Sequence, residues 1–309
     1  MTVPTVVTLD IGGTTIKGAL VGADGQELKR LDRDTGASSG ESEVVARVRA
    51  VARELADAGT VGVGLSVPGI VDTAAGVARH AVNLGFRDTP LAALVAEEVG
   101  VPVVLEQDCR AAAVAESEIG LGRDARDLMV VVLGTGVAAG LIVDGRPLAG
   151  ADGSAGELGH LPVYPDGEHC ACGQRGCLEV YASASGIARR YAAAGGTRAG
   201  ATAADVASSL DSDVVAARVW REATEALGLA LATATLLLDP ALIVLAGGLT
   251  GAGDTLLRPV RSELQGALAW RQAPPVANSP LGGDAGRLGA AILAWRAAGY
   301  EDVVLRDAV

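Results

Sequence analysis

The chain has 309 residues, enough for one large or two medium domains, and half of them are apolar with a single Phe, so its core is aliphatic. A net charge of -12 argues against nucleic acid or an anionic membrane as the principal partner. No apolar run reaches the roughly 18 residues of a membrane span, no secretory signal opens the chain, and cysteines clustered like metal ligands suit a cytoplasmic setting.

Residues 5–9 form a β-branched run expected to be a buried strand. The run leads into Asp10-Ile-Gly12-Gly13-Thr14-Thr15-Ile-Lys17, and 18–21 reads as a return strand closing at Asp24-Gly25. The N–H groups of such a hairpin can cradle phosphate, and Asp10 at the strand end can orient a hydrated Mg²⁺. A tight hairpin with no ligand fits the same residues. No Walker A pattern occurs here. A surface helix is expected over 41–58 and a strand over 61–67, followed by the turn Pro68-Gly69-Ile-Val-Asp72. Asn83-Leu84-Gly85 falls in a loop before a helix at 91–99. A strand over 101–105 then reaches Glu106-Gln107-Asp108-Cys109-Arg110, and an alanine-rich helix is expected over 111–119. A carboxylate between a strand end and a helix start stands where open α/β sheets place ligands. Asp108 there also suits a plain helix N-cap, and Cys109 reads as a small core residue.

The next strand, 128–133, runs into Gly134-Thr135-Gly136-Val137-Ala138-Ala139-Gly140 and a return strand at 141–143 with the turn Asp144-Gly145. A dinucleotide fingerprint would require a helix after the glycines; a short β-branched run follows instead, so that reading fails. The two hairpins repeat, offset by 124 residues from Asp10 to Gly134 and by 120 from Asp24 to Asp144. A duplicated domain is expected, with the halves meeting near 116–126 and a cleft between the copies.

Gly156-Glu157-Leu158-Gly159-His160 is followed, ten residues after the histidine, by Cys170-Ala171-Cys172-Gly173-Gln174-Arg175-Gly176-Cys177-Leu178-Glu179. His160, Cys170, Cys172 and Cys177 can close a tetrahedral zinc site, and the Gly, Pro and polar residues between them predict a loop folded around the ion. A purely structural zinc knuckle satisfies the ligands alone. The carboxylates Glu157 and Glu179 are not needed for that; they suit a ligand rich in hydroxyls. Helices are expected over 180–193, 201–210 and 213–238, then a strand at 241–245, the glycine turn Ala246-Gly247-Gly248-Leu249, and helices at 254–268 and 289–298.

Glu157-x-Gly159-His160 and Cys170-x-Cys172-Gly-x-x-Gly-Cys177-x-Glu179 resemble the two signature motifs of the ROK family of sugar kinases and sugar-responsive repressors. The resemblance covers nearly the whole chain. Asp10 to Lys17 (Asp10, Gly12, Gly13, Thr14, Thr15, Lys17) is similar to the first phosphate motif of the actin-like ATPase superfamily. Gly134 to Gly140 (with Gly134, Thr135 and Gly136 at the nucleotide) is similar to the second, and Leu245 to Gly248 (with Gly247 and Gly248) to its adenosine motif. The segment 68–72, Asn83-Leu84 and 284–291 also resemble ROK sequences. The implied fold is α/β: two RNase H-like domains, 1–118 and 119–309, flank a deep cleft, with the zinc loop inserted in the second. The last helix is a candidate to pack back on the first domain. The implied activity is ATP-dependent phosphorylation of the primary hydroxyl of a hexose, glucose first among them. Asp108 matches the catalytic base. Gly69, Asn83, Gln107, Glu157, His160 and Glu179 fall with it at the sugar. His160 would give one ring nitrogen to zinc and the other to a sugar hydroxyl. ATP, Mg²⁺ and a structural Zn²⁺ are implied, as is a homodimer or homotetramer.

Four departures stand out. Gln107 and Arg110 replace asparagines that the family usually has, and Ala138 and Ala139 replace glycines of the second phosphate motif. The alanines are expected to restrict the backbone and weaken nucleotide binding. An N-acetylhexosamine or other hexose kinase is the nearer alternative. A sugar-binding regulator is the other, although Asp10 leaves no room before it for a DNA-binding domain.

Overall fold

A computed structural model describes residues 3–301 and 303. In chain order the strands and helices of the first part are β1 (Thr5–Ile11), β2 (Thr15–Gly22), β3 (Glu27–Asp34), α1 (Glu41–Leu55), β4 (Thr60–Val67), β5 (Ile70–Asp72), β6 (Val77–Ala81), β7 (Phe86–Thr89), α2 (Leu91–Val99), β8 (Val103–Gln107) and α3 (Asp108–Glu118). The second part follows with β9 (Leu128–Leu133), β10 (Val137–Val143), β11 (Arg146–Pro147), α4 (Leu178–Ala182), α5 (Ala184–Ala193), α6 (Ala203–Ser208), α7 (Val214–Leu238), β12 (Leu242–Ala246), α8 (Asp254–Ala267), β13 (Val276–Asn278) and α9 (Ala285–Ala297). The chain forms two compact units. One holds the described residues up to Asp124, the segment Pro147–Ala155 and those from Asp284 on; the other holds Ala125–Arg146 and Gly156–Gly283. The chain thus crosses between units at more places than a single division after residue 118.

In the first unit a mixed sheet runs β3-β2-β1-β4-β8, with β1 antiparallel to β2 and parallel to β4. Alternation along β1 decides what each face meets. Val7, Leu9 and Ile11 join the core with Val44, Val48 and Leu55 of α1. On the other face, the Thr8 hydroxyl donates to the Arg287 carbonyl of α9 at 2.7 Å. Helix α9 approaches closely because glycines stand in its way. A Cβ on Gly64 would lie 1.9 Å from the Ala290 carbonyl oxygen, and one on Gly289 would lie 1.8 Å from that of Ala111. Strand β3 was not expected. Only Leu31 of its eight residues is buried, so an edge strand of alternating charge lacks the apolar signal of its neighbours. The small antiparallel sheet β5-β6-β7 was likewise read as turn and loop.

The second unit repeats the plan as β11-β10-β9-β12-β13, with β9 antiparallel to β10 and parallel to β12. Its core packs Val131, Leu133 and Leu245 with Leu227 and Leu231 of α7 and Val260 of α8. Helix α7 starts where Asp213 Oδ1 accepts the N–H groups of Val215 and Ala216 at 2.8 and 3.2 Å, and ends at Asp239 in the left-handed region before Pro240. The single helix expected over 180–193 is two, because Ser183 is extended and caps α5 by accepting the Gly186 N–H at 2.9 Å. No described helix is long and apolar enough to cross a membrane.

Candidate functional site

In the first unit, Asp10 ends β1 with its Oδ1 accepting the Ser66 hydroxyl at 2.6 Å. Burial raises its pKa above the usual carboxylate value, against the opposing pull of that hydrogen bond and of Lys17 and Arg287. Lys17 sits opposite it on β2. The turn between them is closed by Gly12 N–H donating to the Thr15 carbonyl at 3.0 Å, leaving Gly13 and Thr14 exposed at its tip. A Cβ on Gly13 would lie 3.4 Å from that of Asn83, so the loop residue expected at the sugar flanks the turn. Gly69 has φ of 92°, and a Cβ there would meet the His80 carbonyl at 2.2 Å; it lets the small sheet close.

Helix α3 starts earlier than expected. Gln107 is its N-cap, its Oε1 accepting the Arg110 N–H at 2.8 Å, and Asp108 is the first helical residue. The plain cap reading therefore belongs to Gln107. Asp108 is half-buried, with Oδ1 accepting the Cys109 N–H at 2.7 Å. Cys109 itself is 4% exposed, a core residue as expected. The Asp10 carboxylate and the backbone of Asp108 both border α9: a Cβ on Gly286 would lie 3.5 Å from Asp10 Oδ1 and 3.7 Å from the main-chain carbonyl oxygen of Asp108. Arg110 is buried. Its Nε donates to Glu106 at 2.7 Å, Nη1 to the Gly153 carbonyl at 2.8 Å and Nη2 to that of Val71 at 3.3 Å. Three ties explain why a guanidinium stands there; asparagine would reach none of these partners together.

In the second unit, the Gly134 N–H donates to the Gly136 carbonyl at 3.0 Å. Glu179 Oε2 accepts the Val137 N–H at 2.9 Å, and a Cβ on Gly136 would lie 2.4 Å from that oxygen, so the glycine makes room for the carboxylate. Ala138 and Ala139 lie within β10, neither with positive φ. The expected restriction is absent, because extended backbone accepts alanine without strain. Gly247, at φ of 88°, passes against the Leu133 carbonyl, 2.6 Å from where its Cβ would be.

The metal-type loop brings its ligands together. One donor atom from each of His160, Cys170, Cys172 and Cys177 lies within 4.8 Å of the others. Tetrahedral zinc with bonds of about 2.3 Å sets its sulfurs about 3.8 Å apart; Cys172 Sγ and Cys177 Sγ are 3.7 Å apart. His160 turns Nδ1 toward Cys170 Sγ at 4.0 Å and Nε2 toward Glu157 Oε2 at 3.9 Å. Burial, with the Cys172 and Cys170 sulfurs adding, pushes the Cys177 thiol up to about 12. A cation bound among the sulfurs would take the charge that burial denies Cys177, and this donor set suits zinc. Arg190 stacks over Tyr181 at 4.6 Å and donates to Glu168 at 2.7 Å, bracing the loop from behind.

A cavity of about 530 Å³ opens beside Gly248, lined also by Ala184, Ala203, Ala207, Leu249, Ala252 and Thr255. Of these only Gly248 was expected at a ligand. The rest lie on four separate elements, α5, α6, the turn at 248–252 and α8, and no spacing links them.

A model of the family described as the ROK family matches residues 6–297. The chain belongs to the ROK family. Glucokinase of Halalkalibacterium halodurans is 36% identical over 92% of this chain and 92% of its own length. N-acetylmannosamine kinase of Citrobacter koseri is 33% identical over 93% and 97%. The crystal structure of a ROK family glucokinase from Streptomyces griseus in complex with glucose and AMPPNP superposes with a TM-score of 0.82 at 32% identity, covering 94% of this chain and 99% of that one. Within the family this chain is an ATP-dependent sugar kinase of the actin-like ATPase superfamily.

Proposed function

We propose that this ROK kinase phosphorylates the primary hydroxyl of glucose. The observation that carries the reading is the half-buried Asp108 at the junction of β8 and α3, whose backbone borders Gly286 together with the Asp10 carboxylate: Asp10 is suited to orient hydrated Mg²⁺ and Asp108 to accept the hydroxyl proton. Phosphoryl transfer asks chiefly for positioning and charge stabilisation, which Mg²⁺ supplies when bound. The amides of Gly12 to Thr15 and of Gly134 to Gly136 hold the triphosphate, with Lys17 beside the first turn. The purine occupies the cavity lined by Gly248, the neighbour of Gly247 in the chain, whose largely apolar walls suit a flat base. Glu157, the Nε2 of His160, Glu179, Asn83, Gln107 and the backbone at Gly69 orient the sugar. His160, Cys170, Cys172 and Cys177 would hold zinc, which would fix the imidazole tautomer and leave its other nitrogen to serve the sugar. The enzyme acts as a homo-oligomer, dimer or tetramer.

The Citrobacter relative supports an N-acetylhexosamine as the second reading. A coupled assay with Mg-ATP across a hexose panel separates them. ADP release with the highest kcat/KM on glucose is expected. Preference for N-acetylmannosamine would replace glucose, and the absence of sugar-dependent ADP release would favour a regulator.

A further inference from the structure

The two glycine turns are each held from behind through their carbonyls. In the first, the Thr35 hydroxyl donates to the Gly12 carbonyl at 2.7 Å, and the Thr35 N–H donates to that of Thr14 at 3.0 Å. In the second, the Ala184 N–H donates to the Gly134 carbonyl at 2.9 Å, and the Ser185 hydroxyl donates to that of Thr135 at 2.5 Å. A peptide unit is planar and trans, so a pinned carbonyl points the N–H of the following residue the opposite way. The amides of Gly13 and Thr15 are therefore turned away from Thr35, and those of Thr135 and Gly136 away from α5. The latter two donate to no backbone carbonyl among the described residues. Neighbouring N–H groups aimed together make an anion cradle.

We propose that Thr35 and Ser185 are positioning residues for the phosphoryl donor, each fixing the peptide planes that aim a turn's amides at phosphate oxygens. Neither lies in a glycine motif. Thr35 is buried beyond the end of β3, and Ser185 is exposed in the first turn of α5. Residues 23 and 50 positions from their acceptors carry one hydroxyl each to the back of a turn. Unpinned, the peptide units can rotate, and the amides lose their common direction before the donor arrives.

This inference rests on the turns binding ATP, and the experiment separates the two. Thr35→Val, Thr35→Ser, Ser185→Ala and Ser185→Thr are made in the full chain. Each is assayed for donor KM, kcat and Tm, with Mg-AMPPNP and sugar affinities measured by calorimetry. Removing the hydroxyl in Thr35→Val or Ser185→Ala is expected to raise donor KM and AMPPNP Kd about tenfold, as for partial loss of a hydrogen bond to a charged group. Sugar Kd stays within about twofold, the error of comparing single contacts. The hydroxyl-keeping Thr35→Ser and Ser185→Thr recover most of the donor affinity. Parental donor affinity in folded Ser185→Ala overturns the inference, as does a fall in Tm with donor affinity unchanged. Should Thr35→Val not fold, exposed Ser185 still decides. AMPPNP binding by the parent without sugar-dependent ADP release from Mg-ATP would defeat the kinase reading alone; no AMPPNP binding by the parent would defeat both.

Discussion

The two glycine turns share a backbone plan and differ in the carboxylate beside each. Gly12 N–H closes onto Thr15 and Gly134 N–H onto Gly136, and each turn opens from a buried strand paired with its return strand. Beside the first stands Asp10, whose raised pKa reports a charge held in a poorly solvated place next to Lys17 and Arg287. Beside the second stands Glu179, which accepts the Val137 N–H and follows Cys177 by two residues, joining the turn to the metal-type loop. On the proposed reading, the repeated hairpin supplies a phosphate cradle in each unit. What differs is the carboxylate and its backing, so on the same reading the first unit handles charge and protons and the second fixes orientation. Loss of the first unit's proton-accepting carboxylate should appear mainly in kcat, and damage to the second unit's metal-type loop mainly in the sugar KM.

Asp108→Asn should give the largest effect. The amide oxygen still accepts the Cys109 N–H, and the cap of α3 is Gln107, so fold and stability should survive. What is lost is the proton acceptor, and kcat should fall by about 10²–10⁴, while calorimetry shows sugar affinity nearly unchanged. Turnover within about tenfold of the parent, below the usual general-base contribution, would remove Asp108 from the chemistry and erase the contrast between the units.

The metal loop gives the opposite signature. The purified protein should carry about one zinc per chain. Cys172→Ser should lower zinc content and raise the sugar KM by about tenfold, a usual loss when a site's supporting groups are disturbed, with a smaller change in kcat. A folded, active parent with no zinc would overturn the metal assignment. Zinc loss that moved kcat and left KM alone would reverse the division of labour.

How much of this was legible in the sequence depended on the range of the forces involved. Strand β9 and helices α2 and α7 stood out because continuous apolar runs, helical periodicity and the Asp239-Pro240 stop are local signals. The clustering of His160, Cys170, Cys172 and Cys177 was legible because metal-binding chemistry restricts residue type and spacing. Strand β3 was not, because its edge position buries only Leu31. The cap of α3 was misplaced because Gln is a rare cap and the acid beside it a common one. The alanines at 138 and 139 looked restrictive only while their strand conformation was unknown. Thr35 and Ser185 carry no local mark, since their acceptors lie far away along the chain.

Gln107→Asn tests a smaller effect at the junction of the two roles. Asn caps a helix at least as well as Gln, so stability should hold. Shortening the side chain by one methylene moves its amide nitrogen, and relative kcat/KM among hexoses should change by up to about tenfold, the usual worth of one methylene in a pocket. The ATP KM should stay within about twofold, within the context dependence of a single neutral contact. Unchanged relative values across the panel would leave Gln107 as a cap alone.

The smallest effect concerns stability and the carboxylate beside the first turn. Asp10 is raised in the folded state above 3.8 because burial disfavours its charge more than Ser66, Lys17 and Arg287 favour it. The folded protein therefore holds that proton to higher pH than the unfolded chain does. As pH rises from the unfolded value through the folded one, the unfolded state has released its proton while the folded state retains it. The native state then binds more protons, and this site's contribution to stability falls with rising pH until the folded carboxyl has also ionised. Asn at position 10 has no such slope and can still accept the Ser66 hydroxyl. Without nucleotide or divalent cation, Asp10→Asn should thus gain stability relative to the parent as pH rises through this window, then keep a constant advantage. Adding Mg-ATP should stabilise the parent more, because a bound cation favours the charged carboxylate, so the order of the two melting temperatures narrows or reverses. Denaturant unfolding of both proteins from acid to neutral pH measures the difference. A gap that stays flat with pH would mean that Asp10 titrates in the fold as it does in the unfolded chain, and the first turn would then lack the poorly solvated charge that sets it apart from the second.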